Sequence, residues 1–134
     1  MPRGVGPVTT YLRFQGTERH ERGFFPGIFM LVDRLAREGL LTDEQERFRR
    51  VDNDWHDAAC VTPSHVDPTV SDREVDPGAV AWFKVDGAGH LVERIGGYPE
   101  ILTAHGIGWE RVESCDPGRV VYEDEHQVVV VPRD

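Results

Sequence analysis

Tyr122, Glu123, Asp124, Glu125, His126 and Gln127 place a phenol, three carboxylates, an imidazole and a carboxamide in six consecutive residues. Where a strand runs through them, Glu123 and Glu125 project to one side, because side chains alternate along a strand. A carboxylate pair beside His126 and Lys84, the only lysine of the chain, is an outline for acid–base chemistry. In such sites the surroundings push neighbouring pKa values apart so that one group gives a proton and another takes it. Lys84, Glu123, Glu125 and His126 are therefore the candidate catalytic residues. A plainer reading competes: charges at a hairpin tip keep an exposed turn and sheet edge soluble. The plainer one is favoured.

A second group suggests binding rather than catalysis. Trp82 and Lys84 alternate to one side of a strand over 79–85, and a lysine there implies that this face meets water. With Tyr122 and Gln127 from the terminal hairpin and Arg13 from the first strand, Trp82 would form a shallow ligand or partner surface. An arginine on the first strand with Glu-x-Glu on a late one also resembles the outline of ADP-ribosyltransferase sites. The chain is short for that fold and has no clear Ser-Thr-Ser strand, so the outline is thin.

Metal and thiol chemistry are less well supported. Asp52, His56 and Cys60 recur every four residues and share a helix face, a workable chelate spacing. Yet Asp52 and His56 fall off the expected apolar stripe, where solvated residues belong, and His65 and Asp67 add no familiar spacing. No metal and no other cofactor is expected. Neither Cys60 nor Cys115 sits in a nucleophile motif, and no Gly-x-Ser-x-Gly is present. Two cysteines make no disulfide framework, which suits buried thiols in a cytoplasmic protein.

Composition narrows the partners. The chain has 134 residues and a net charge of −9, with residues 1–40 at +2 and residues 41–134 at −11. An acidic surface disfavours nucleic acid and anionic membrane, since phosphate contacts depend on lysine and arginine. No stretch approaches the roughly 18 apolar residues that span a bilayer. No signal-peptide layout opens the chain. A small molecule or a basic protein partner remains.

The elements that must position these residues follow from periodicity. Residues 9–15 alternate as a first strand. Ile28, Leu31, Val32 and Leu35 mark a helix near 27–38, capped by Gly39. Thr42 and Gln45 form a capping box for a second helix to about Cys60, with Phe48, Val51, Trp55 and Ala58 or Ala59 as its apolar face. Residues 61–78 carry three prolines and no periodicity, a long connection. After the 79–85 strand, a helical stretch to His105 should kink or split at Gly96, Gly97 and Pro99. Strands at 109–115 and on either side of the acidic tip complete the chain.

The expected fold is α+β: one domain over 1–134, with a strand and αα-hairpin (1–60) packed on a βαβββ half (79–134) whose last three strands form an antiparallel meander. The run Val128 to Val131 is apolar on both faces. It must be a central strand or meet a second chain, which allows a homodimer.

The Trp82-Phe83-Lys84 strand, the helix ending in His105-Gly106 and the hairpin from Val120 to Val131 resemble a group of small bacterial proteins that share these features. The arginine-rich composition is similar to that of actinobacteria with GC-rich genomes. The likeness covers about residues 79–132, with a weaker echo at 22–29, and brings no activity with it. The expected function is a small acidic binding or accessory module. An enzyme drawing on the acid–base residues is the alternative.

Overall fold

The computed structural model describes residues 9–19, 23–60 and 78–132. The expected connection at 61–78, with His65 and Asp67, lies outside them except for Gly78, and so do residues 1–8. The fold is α+β, as expected. Five strands, β1 (Tyr11–Gly16), β2 (Val80–Lys84), β3 (Trp109–Ser114), β4 (Arg119–Glu123) and β5 (Gln127–Val131), form one antiparallel sheet in the order β3-β1-β2-β5-β4. The helices are α1 (Ile28–Arg37), α2 (Asp43–Ala59), α3 (Gly89–Val92) and α4 (Gly97–Ala104). No helix among the described residues is long and apolar enough to cross a membrane.

The order corrects the expected meander. β4 and β5 do form the predicted hairpin, but β3 crosses to the far edge and pairs with β1 along all six residues. The N-terminal strand thus lies inside the sheet of the C-terminal half. β5 is flanked by β2 and β4, and Val128, Val129 and Val130 are buried. That burial accounts for the two-faced apolar run within one chain.

Ile28, Leu31, Val32 and Leu35 of α1 pack with Tyr98, Ile101 and Leu102 of α4, and Phe14 and Phe83 from the sheet join them. The other face of the sheet has its own cluster of Trp82, Val128 and Val130, with Tyr11, Val80 and Val112 against it. The helical stretch after β2 splits at Gly96 as expected. Gly97 lets the Phe48 ring press onto α4, since a Cβ there would stand 2.2 Å from the ring.

The expected buried face of α2 holds at Phe48, which packs against the core of α1 and α4, and fails further along the helix. The capping box is present, with Gln45 N–H donating to Thr42 Oγ1 at 3.1 Å and Thr42 N–H to Gln45 Oε1 at 3.0 Å. Below it, the helix buries Asp52 and His56, while Val51 stays 56% exposed. Its neighbours supply the reason. Arg94 donates to Asp52 at 3.0 Å, Tyr98 OH donates to Asn53 at 2.6 Å, and Asp33 accepts from Arg49 and Asn53. A buried polar side chain with a partner costs little, and Arg94 supplies one for Asp52.

Candidate functional site

β1 and β2 stay paired only at Tyr11 with Lys84 and Leu12 with Phe83. Beyond that point the strands part, and the segment before α1 takes the vacated edge of β1. Gly16 N–H donates to the Pro26 carbonyl at 2.8 Å, and Gln15 bridges Gly27. Proline suits this place, because a carbonyl is asked of it and no N–H.

Arg13 occupies the fork and is 8% exposed. Its Nη1 donates to the Ala81 carbonyl at 2.7 Å, Nη2 to the Phe25 carbonyl at 2.7 Å, and Nε to Gln15 Oε1 at 3.0 Å. All three acceptors are neutral. A guanidinium has five N–H donors, so one on each terminal nitrogen has no acceptor among the described residues. Burial lowers the Arg13 pKa to about 10, which leaves it charged at neutral pH. No carboxylate among the described residues pairs with it.

A cavity of about 350 Å³ opens at this fork. β1 contributes Arg13 and Phe14, β2 contributes Ala81, Trp82 and Phe83, and Gln127 of β5 borders it. Gly27, Ile28 and Phe29 bring the first turn of α1 to its wall, and Asn53, His56, Asp57 and Cys60 bring the last turns of α2. The α1 N-terminus has no side-chain cap and no acidic residue in its first turn, so its partial positive charge is unanswered.

Among the described residues, one buried polar atom of a lining side chain, His56 Nε2, has no partner; Trp82 Nε1 has none either, but the Trp82 ring packs with Val128 and Val130 on the other face of the sheet. The His56 ring stands edge-on to Phe29 at 5.3 Å and to Trp55 at 5.0 Å. Burial pushes its pKa below the ordinary imidazole value, over opposing pulls from Asp52 and a hydrogen bond to the Arg94 backbone. Cys60 accepts from Gln127 Nε2 at 3.2 Å. Burial and then the Asp124 carboxylate push its thiol up to about 11, so the sulfur is protonated at neutral pH and a poor nucleophile.

The residues singled out in the sequence fall into three places. Arg13, Trp82 and Gln127 border the cavity; Tyr122 does not, and its OH donates to Asp124 at 2.7 Å. None of Lys84, Glu123, Glu125 and His126 lines it. Lys84 pairs with Glu123 at 2.5 Å across β5, and Glu125 is exposed. His126 Nδ1 lies 2.8 Å from the Gly87 carbonyl. The helical trio is divided: Asp52 is taken by Arg94, while His56 and Cys60 face the cavity. Among the described residues no group of three His, Cys, Asp or Glu could hold a metal ion.

Sequence reasoning missed Asn53 and Asp57, gave His56 only a metal role, and passed over Asp124. That carboxylate organises the hairpin tip. It accepts from Tyr122 OH, from the N–H of His126 at 2.8 Å and of Gln127 at 3.1 Å, and from Gln127 Nε2 at 3.2 Å. An aspartate that binds the backbone two residues on was the signal available.

Searches against known protein families, curated proteins and solved structures find no match to this chain.

Proposed function

We propose that this chain is a binding module that takes a small molecule into the cavity where β1 and β2 part. The observation that carries the reading is the combination in one cavity: a buried arginine with no counter-charge, and a buried His56 Nε2 with no hydrogen-bond partner, among the described residues, set between aromatic and aliphatic side chains. Ligand sites are concave and mostly apolar, with a few polar groups that fix orientation, and volumes start at about 300 Å³. Two cysteines carried as thiols agree with a cytoplasmic setting.

The chemistry of the wall supports binding over catalysis. The thiol bordering it is protonated, and the acid–base residues expected from the sequence, Lys84, Glu123, Glu125 and His126, lie elsewhere. A titration of the ¹⁵N-labelled protein with neutral 2-naphthamide tests the reading. The amides of Phe14, Ile28, Phe29 and Phe83 should shift together, with a Kd of about 0.1–1 mM for a probe of this size. Shifts confined to the β4 edge around Val120, or none at millimolar probe, would overturn it.

A further inference from the structure

We propose that the natural ligand of this cavity is a small carboxylic acid with an apolar body, whose carboxylate docks on Arg13 beside the N-terminus of α1. The proposal rests on the binding role argued above and names the class of molecule bound.

Arg13 is the reason. A buried cation is ordinarily matched by an anion, because taking a charge out of water is costly unless it is paired. Here three of its donors go to two carbonyls and a carboxamide, and among the described residues none goes to an acid. The two donors left over sit on the two terminal nitrogens. Arginine holds carboxylates with two parallel bonds of this kind. The guanidinium also lies against Gly27, with Nη2 only 3.4 Å from where a Cβ would be. The uncapped first turn of α1 therefore adds its partial positive charge at the same spot. His56 Nε2, buried and without a partner among the described residues, is a further polar atom on a side chain that lines the cavity.

The rest of the lining selects within the anions. Phe14, Ile28, Phe29 and Phe83 form the apolar wall that takes the body of the molecule. Asp33 and Asp57 also border the cavity, and among the described residues only Asp33 has a salt-bridge partner, Arg49 at 3.1 Å. A phosphate dianion with three oxygens would exceed the two available donors and meet these acids. A monocarboxylate matches the donors and carries less charge past Asp57.

The test compares three probes of one shape: 2-naphthoate, 2-naphthamide and 2-naphthyl phosphate, by calorimetry at low salt and by the Arg13 Nε–Hε resonance. Naphthoate should bind at least tenfold tighter than the amide and shift the Arg13 resonance, while the amide leaves that resonance in place. The preference should vanish in Arg13→Met. Should that variant not fold, the resonance and affinity ratio in the wild-type protein decide the matter. Equal binding of acid and amide, with Arg13 unmoved, overturns the carboxylate assignment and leaves the binding module standing. Phosphate binding tenfold tighter than naphthoate also overturns it. No binding of any probe removes the cavity reading itself.

Discussion

Arg13 Nη1 donates to the backbone carbonyl of Ala81 at 2.7 Å, spanning 68 residues of sequence just past the last paired residues of β1 and β2. A side chain thus replaces the ladder bond that the parting strands can no longer make, and the same guanidinium pins the Phe25 carbonyl on the other side. Opening the sheet for a cavity and closing its backbone hydrogen bonds fall to one residue.

Arg13→Lys should therefore destabilise the protein by about 2 kcal/mol. One ammonium keeps the charge but cannot reach two carbonyls in the fork geometry, and an unmade buried hydrogen bond costs about 1–3 kcal/mol. Urea denaturation checks this. A midpoint equal to that of the wild type would mean the carbonyls find other donors.

His56 predicts an acid-side loss of stability. Its folded pKa lies below the ordinary value of about 6.5. As pH falls below that, the unfolded chain takes up a proton that the buried ring resists, so stability declines until the folded pKa is reached. His56→Gln should flatten the fall between pH 7 and 5. Parallel curves for the two proteins would contradict this.

Asp124 acts in a lower window. Burial raises its pKa, but the hydrogen bonds from His126, Tyr122 and Gln127 outweigh burial and hold it below the usual carboxylate value. Its contribution is present above the unfolded pKa of about 3.9 and is lost as pH falls through the folded one. Asp124→Ala should cost about 2 kcal/mol near neutrality, seen as a lower melting temperature. Asp124→Asn should cost less, because its carbonyl oxygen still accepts. An Ala variant as stable as the wild type would show that the tip needs no organiser.

The legible parts of the fold were those with local signals. The capping box at Thr42 and Gln45, the split before Gly97 and the β4–β5 hairpin each depend on a few adjacent residues. Strand order did not: nothing near β3 says that its partner is β1, nearly a hundred residues back. The buried face of α2 was misread for a similar reason. Asp52 and His56 look solvated until Arg94, Phe29 and Tyr98 arrive from other elements. Arg13, Trp82 and Gln127 were picked out from the sequence, yet as parts of an open surface. The cavity arises from the divergence of two strands, which no local pattern records.

The acidic tip that dominates the sequence should matter little to binding. Lys84→Met and Glu123→Gln break a partly exposed pair, worth less than about 1 kcal/mol in such settings. Neither should change the affinity for 2-naphthoate. A tenfold loss in either variant would return the acid–base residues to the site.

The most direct test of the account is the position of a bound molecule. Intermolecular nuclear Overhauser effects should connect the ring protons of 2-naphthoate to the Ile28 methyls and to the rings of Phe14, Phe29 and Phe83, the apolar wall of the cavity. Contacts instead to the exposed side chains of Val51, Val85 or Val120, or no bound state at millimolar probe, would contradict it.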